Sequence, residues 1–338
     1  AGAIATGVIA SSGGAGLNFT FTALSHAHLS HTSQDWLFLC FAAAFLVKMP
    51  LVPFHGWLRD GYKAMPIPVV AVFSGIVSKV AAYGFLRIVL PLFPYASRHY
   101  QLAMLLIALV SILWATSLAF TTRDSRLVVA YSSVAQLAFI TLGIFSLRPE
   151  GGQGALLQMI NHGLVTAGGF FIVGALAARA AGSERLDDMG GIAFRAPVLA
   201  AMFVIIAFAT LAMPGSSNFI GEFMILLGVF QTKMVIAIIA FLGVIGAAFY
   251  ALRLFITSMH NRVGREVASR EALPRETVAI LPLTLAILAL AFIPQFGLER
   301  SERSLKAAVA PAAASGGSAE SAGRATASIS NPSGGSTP

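Results

Sequence analysis

Apolar residues run along this chain in blocks of about twenty, separated by short loops that collect nearly all of the charge. A helix needs roughly 20 apolar residues to cross the hydrocarbon core of a bilayer, and blocks of that length recur as far as about Gly297. They predict eight spans, at about 35–57, 67–93, 102–120, 127–147, 154–178, 198–230, 234–258 and 278–297. Strands of a membrane barrel would alternate over short segments, and these blocks do not. The predicted fold class is all-α, a polytopic bundle of transmembrane helices. Ahead of the first span, residues 1–11 read as the remnant of a preceding transmembrane helix: they are too few to span, and no basic region precedes them to make a signal peptide. At the other end, residues 307–338 are mostly Ala, Ser, Gly, Thr and Pro, which predicts a disordered polar tail.

Two of the spans are interrupted in the same manner. The first contains "VKMPLVP", with Pro50 and Pro53 at membrane depth; the sixth contains "LAMPGSSNFIGEF", with Pro214 and Gly215 there. Proline lacks an amide donor and frees a carbonyl. In lipid those groups need partners, so a broken helix is tolerated only where protein or a hydrated cavity surrounds it. Paired broken helices point to inverted repeats with an ion path at their interface. By parity of crossings the two broken spans run in opposite directions, as inverted halves require.

Composition agrees with the pattern: 57% of the 338 residues are hydrophobic and 11% charged, and the mean hydropathy is +0.81. No soluble domain of this size needs such values. Cys40 is the single cysteine, so there is no disulfide framework and no thiolate set for zinc or an iron–sulfur cluster. His55 and His162 alone make a weak case for haem, there is no Walker loop, and no metal site is expected. The formal charge of +8 reads as topology, not as nucleic-acid binding. One set of alternate loops carries Arg59, Lys63, Arg123, Arg126, Arg179, Arg185, Arg195, Arg262, Arg265, Arg270 and Arg275; the other carries Arg98, Arg148 and Lys233. The basic set is predicted to be cytoplasmic, which puts the C-terminal tail on the non-cytoplasmic side.

The charges well inside these spans are Lys48, Lys79, Arg87, Glu222 and Arg253. Arg87 and Arg253 lie near span ends and read as snorkelling side chains. Lys48 and Lys79 lie near span centres, where a cation costs on the order of 3 kcal/mol. Each is either a lysine held by the freed carbonyls of a broken helix or an amine that carries a proton. Glu222 follows the second break, and is either a static protonated core group or a titrating site facing a cavity. His162, in "QMINHGLVTAGG", adds a group of the one type that titrates near neutrality, or else a satisfied core histidine. Gly163, Gly168 and Gly169 beside it would let helices approach closely.

The stretches "KMPLVPFHGWL", "SKVAAYGFLRIVLPLFP", "RLVVAYSSVAQLAF", "QMINHGL", "DDMGG" and "ATLAMPGSSNFIGEFMIL" resemble the antiporter-like proton-pumping subunits of respiratory complex I, the NADH-quinone oxidoreductase. The likeness runs from about residue 36 to 258, and more loosely to 297. It implies an inverted-repeat architecture with a central axis of buried ionisable groups. Lys48 then resembles the lysine of the first broken helix, Lys79 the bridging lysine, His162 the connecting histidine and Glu222 the carboxylate of the second broken helix. Related antiporter subunits usually have lysine at the place of Glu222. The glutamate that partners the first lysine in the family would precede Ala1. The resemblance also implies a proton-translocating role with no redox chemistry or cofactor on this chain. NADH, flavin, iron–sulfur clusters and quinone would reside on partner subunits, the other membrane-arm subunits being its neighbours in a bacterial inner membrane. A subunit of a sodium/proton antiporter or membrane-bound hydrogenase, an independent small-solute transporter and a structural scaffold with static buried charges are the alternatives.

Overall fold

The computed structural model describes residues 2–11, 19–25, 27, 29–264, 267–268 and 270–329, and in them every regular element is helical. We number the helices α1 (Gly2–Ser11), α2 (Phe21–Ser25), α3 (His31–Lys48), α4 (Leu58–Ala64), α5 (Ile67–Leu92), α6 (Pro94–His99), α7 (Gln101–Thr121), α8 (Ser125–Phe145), α9 (Pro149–Arg179), α10 (Pro197–Thr210), α11 (Ser217–Met259), α12 (Pro274–Phe292) and α13 (Gln295–Ile329). Helix α8 is the central post: nearly all of its residues are buried, and Asp124 caps its start by accepting from the Leu127 amide at 3.0 Å. Exposed Val72, Ile76, Val80, Phe241, Ile245 and Phe249 on the outer helices form the surface a bilayer would cover.

Helical backbone breaks off at two places between the long helices. Helix α3 ends at Lys48, and residues 49–57 form turns that include Pro50 and a cis Val52–Pro53 bond. Two donors there find partners nearby, as the bilayer interior favours: the Val52 amide donates to Ser111 Oγ at 2.9 Å, and the Trp57 indole to the Val47 carbonyl at 3.1 Å. Between α10 and α11, residues 211–216 leave the helix around Pro214, and Gly215 takes a φ of 92° that favours glycine. Helix α11 then bends at Lys233, whose φ of −143° and ψ of 74° are not helical. The first arm lies antiparallel to α9, with Gly221 and Gly228 against Gln158 and Gly151. The second arm returns alongside α7, with Gly243 against Ile112 and Gly246 against Thr116. Thus α11 supplies parts of two predicted spans, 198–230 and 234–258, with a reversal between them.

Close approach of backbones sets the spacing between α9 and the first arm of α11. A Cβ on Gly154 would stand 2.7 Å from the Gly221 carbonyl, and one on Gly228 would stand 2.6 Å from the Gly151 amide. These glycines form a seam in which main chain meets main chain, with the Gln158 side chain packed on Gly221 beside it.

The C-terminal segment differs from expectation. Where a disordered tail over 307–338 is predicted, the chain is helical from Gln295 to Ile329; residues 330–338 lie outside the described residues. Leu305, Ala308, Val309 and Ala312 recur at helical spacing and are buried, Leu305 against Gly152 at the start of α9. A narrow apolar stripe is therefore enough to dock α13 despite its polar average.

On the opposite end of the bundle, two cations expected only in loops are buried clamps. Arg126 donates to the carbonyls of Tyr62 and Met65 at 3.1 and 2.7 Å and pairs with Glu184, tying the end of α4 to the start of α8. Arg179, fully buried, donates to the Arg270 and Glu271 carbonyls and pairs with Glu276 at 2.9 Å. Beside it the Glu271 carboxylate accepts the Val198 and Leu199 amides at 3.0 and 3.1 Å, capping α10. Burial raises the Glu271 pKa, but backbone amides and Arg179 outweigh it and hold the carboxyl below its ordinary 4.5. A carboxyl lowered in the folded state stabilises fully above its unfolded value and loses that contribution as pH falls through its native value. Hydrogen exchange at Val198 and Leu199, corrected for intrinsic rates, should therefore accelerate on acidification below 4.5. In Glu271→Gln it should be fast at every pH; an unchanged rate in that variant would show that the cap contributes nothing.

Candidate proton-relay site

Helix α5 is not a regular α-helix. Residues Phe73–Val77 form a π-turn, in which backbone hydrogen bonds run to the fifth residue. The widened turn leaves the Ser74 carbonyl able to accept the Ser78 hydroxyl at 2.8 Å and the Lys79 ammonium, five residues on, at 2.5 Å. The same turn aims the Ser74 hydroxyl at Ser133 of α8, with 3.0 Å between the oxygens. Ser133 Oγ is 3.3 Å from His162 Nε2, and Thr166 Oγ1 is 2.7 Å from the same nitrogen. A file thus crosses three helices from Lys79 to His162 through two serines, its first link made to the Ser74 main-chain carbonyl and the rest to hydroxyls and imidazole. It exists because α5 and α9 touch main chain to main chain: a Cβ on Gly163 would stand 2.7 Å from the Gly75 carbonyl.

Glu222 stands in a second, adjoining cluster. Its Oε1 accepts from Gln136 Nε2 at 2.6 Å, and Gln136 Oε1 accepts from Gln158 Nε2 at 2.8 Å. Gln136 follows Ser133 by three residues on α8, and Gln158 precedes His162 by four on α9, so both clusters use the same two helix faces. Among the described residues no hydrogen bond joins the two clusters, and Glu222 forms no ion pair. Near the second break Asn161 donates to the Ser217 carbonyl at 2.6 Å, while the Asn218 amide and Glu222 Oε2 have no partner.

Of the four ionisable groups predicted for the axis, the structure buries three: Lys79 is 6% exposed, His162 1% and Glu222 3%. Lys48 stands apart. It ends α3, is half-buried, and makes no hydrogen bond or ion pair among the described residues. Pro50, Pro53, Pro214 and Gly215 lie in the breaks. His55 accepts from Trp114 Nε1 at 3.0 Å and shares no partner with His162, so the two are not arranged around a common ligand. Among the described residues no group of three or more His, Cys, Asp or Glu is placed to hold a metal ion. Arg87 stacks on Phe21 at 5.0 Å, and Arg253 donates to the Phe120 and Thr122 carbonyls at the end of α7.

Sequence reasoning missed Ser74, Ser133 and Gln136. The signal for Ser133 was available: in "AYSSVAQL" Ser133 and Gln136 share one face of a helix otherwise built of core residues. Ser74 had none, because its role depends on the π-turn.

The family described as NADH:quinone oxidoreductase/Mrp antiporter, transmembrane, matches residues 3–249. NADH-quinone oxidoreductase subunit M of Rickettsia conorii is 36% identical over 264 residues, covering 78% of this chain and 53% of that protein. The subunit M of Escherichia coli K12 is 37% identical over 291 residues, covering 85% and 57%. The chain therefore spans about half the length of the curated relatives it matches. Among solved structures, a chain of respiratory complex I from Thermus thermophilus with bound NADH superposes with a TM-score of 0.85 at 29% identity, covering 92% of this chain and 65% of that one. A chain of the Mrp complex from Dietzia sp. DQ12-45-1b gives 0.81 at 21%, covering 92% and 66%, a likeness of fold alone.

The Gly75–Gly163 contact carries a test. A methyl at Gly163 forces α5 off α9, because the obstacle is a backbone carbonyl; at Gly168 it meets only the flexible end of Ile206 at 2.9 Å. Gly163→Ala should therefore lower stability by about 1–3 kcal/mol and pull Ser74 from Ser133, whereas Gly168→Ala should cost clearly less. Thermal unfolding of the two variants in detergent compares them, and equal losses would refute the close-contact account.

Proposed function

The chain belongs to the NADH:quinone oxidoreductase/Mrp antiporter transmembrane family, and on that premise we propose that it serves as a proton-translocating membrane-arm element of a complex I type enzyme. Its task there is to move protons while partner subunits carry NADH, flavin, iron–sulfur clusters and quinone. The observation that carries this reading is the chemistry of the buried file. Lys79 and Glu222 lie at membrane depth without forming an ion pair, and neutral hydroxyls, an imidazole and carboxamides are what surround them. A scaffold would neutralise buried charges against each other, because an uncompensated one is costly. Hydroxyls and imidazole can each accept one proton while releasing another, and such groups suit a relay.

In this reading Lys79 is the bridge between two half-paths, His162 the next station and Glu222 the terminal carboxylate. Lys48 lies at the first break, and its partner would come from a neighbouring helix. Helices α3 and α10 with the first arm of α11 are the broken members of two inverted halves. The basic loops face the cytoplasm, α13 lies on the non-cytoplasmic face, and the chain sits among other membrane-arm subunits in a bacterial inner membrane. The sodium/proton antiporter reading draws on fold likeness at 21% identity, whereas the subunit M relatives stand at 36 and 37%.

In the assembled complex, Lys79→Ala should lower coupled proton pumping by about tenfold or more while leaving assembly intact. Lys79→Arg should not restore it, because a guanidinium holds its proton. Normal pumping in Lys79→Ala would remove the bridging role. Glu222 separates a titrating carboxyl from a static one. Glu222→Gln keeps shape and hydrogen bonds but cannot titrate, so it should assemble and fail to pump, while Glu222→Asp should retain part of the activity. Under the scaffold reading the order reverses, with Gln harmless and the shortened Asp damaging assembly. Proton uptake and complex yield for the two variants decide.

A further inference from the structure

The two arms of α11 leave between them a groove of about 370 Å3, just below the bend at Lys233. Phe223, Leu227 and Phe230 line it from the first arm, and Ala237, Ile238 and Phe241 from the second. Its lining is wholly apolar, and Phe223, Phe230, Ile238 and Phe241 are half exposed, so the groove opens on the surface a bilayer would cover. Lys233 marks its upper end. That side chain is exposed and forms no hydrogen bond or ion pair among the described residues. Its depth follows from the second arm. Lys233 and Arg253 stand about 30 Å apart along that arm at the rise of an α-helix, which is the thickness of the hydrocarbon core, and no charged residue lies between them. Arg253 marks the opposite surface, where it donates to the Thr122 carbonyl at the end of α7. Lys233 is therefore at headgroup level, and the groove runs about 12–15 Å down from it, about one leaflet of hydrocarbon.

Two kinds of occupant could fill such a groove, a helix or a lipid tail. Helices associate in a membrane through small residues that let backbones approach, as the glycines between α9 and α11 do. Here the walls are phenylalanine, leucine and isoleucine, with Ala237 the one small residue, so a helix would find bulky side chains and no polar partner. A flexible tail needs neither, and it recovers the contacts that a void would forfeit. What selects one lipid is its headgroup. Arg148 adds a second cation at this end, at the start of α9, where Gly151 rests on Gly228; Glu150 beside it forms no ion pair among the described residues. We propose that the α11 groove binds one anionic phospholipid, its acyl chain between the two arms and its phosphate on the Lys233 ammonium. A phosphate is matched there by a charge-assisted hydrogen bond, and a lipid with no cation of its own meets no repulsion from Lys233 and Arg148. The inference requires the chain to span a bilayer and is independent of the proton-carrying reading.

The test uses the assembled complex, reconstituted in nanodiscs in which phosphatidylglycerol is diluted with phosphatidylcholine. Cryo-EM maps should show a tail in the groove and a headgroup at Lys233 when phosphatidylglycerol is abundant, and loss of that density in phosphatidylcholine alone. Lys233→Gln, at an exposed site, should assemble in normal yield and raise the phosphatidylglycerol fraction needed for half occupancy by about fivefold. Equal density in both lipids would overturn the proposal, since a zwitterionic headgroup would then serve as well. So would an empty groove, a helix of a neighbouring subunit seated in it, or an unchanged half-occupancy in Lys233→Gln. The comparison of the two lipids in the unaltered protein decides even where the variant assembles poorly.

Discussion

An ammonium group inside hydrocarbon must find an acceptor, and a regular α-helix offers little to one, because each interior carbonyl already accepts its own amide and its second lone pair is reached mainly by side chains four residues on, as Thr210 reaches Ile206. Lys79 meets that constraint by accepting a change in the helix that bears it. The π-turn at Phe73–Val77 places the Ser74 carbonyl where the lysine can reach back to it. The same local widening turns the Ser74 hydroxyl toward α8 and brings Gly75 against Gly163. The register of α5, its contact with α9 and the order of the file thus descend from one buried cation and its carbonyl.

Much of this was legible in the sequence, and the reasons differ by feature. The breaks around Pro50 and Pro214 could be read because each proline is joined by a second residue that disfavours helix, Pro53 or Gly215, whereas Pro282 alone leaves α12 continuous. Burial of Lys79, His162 and Glu222 could be read because a polar group at the middle of an apolar block is shielded from lipid only by turning inward, between helices. The failures have physical causes too. Lys48 and Lys79 look alike in the sequence, yet one is half-buried without a partner and the other is enclosed, because the difference lies in which neighbouring helices face each of them. The helix over Gln295–Ile329 was hidden by its polar average, since a stripe of four small apolar residues decides its docking.

The basic loops do double service. A bias of cations to one side of a membrane orients a chain during insertion, and any exposed arginine would serve that purpose. Arg126 and Arg179 go further. Each spends its fork of donors on carbonyls at the ends of neighbouring helices and on one glutamate. Arginine suits this place because its planar fork holds several acceptors at once and remains charged under all ordinary conditions. That end of the bundle is thereby laced together through its loops.

The glycine seam between α9 and the first arm of α11 has a mechanical consequence. Where main chain rests on main chain there are no rotamers to change and no gap to close, so that end behaves as a welded joint. Toward the basic loops α8, α9, α10 and the second arm of α11 are held apart by side chains, and a cavity of about 30 Å3 lined by Ser132, His162, Thr210 and Tyr250 lies among them. A pair of tongs has this layout, stiff where the arms are joined and compliant toward the tips. Any shift between these helices would then be taken up at the cavity end, with the far end as the fixed point from which that movement is measured.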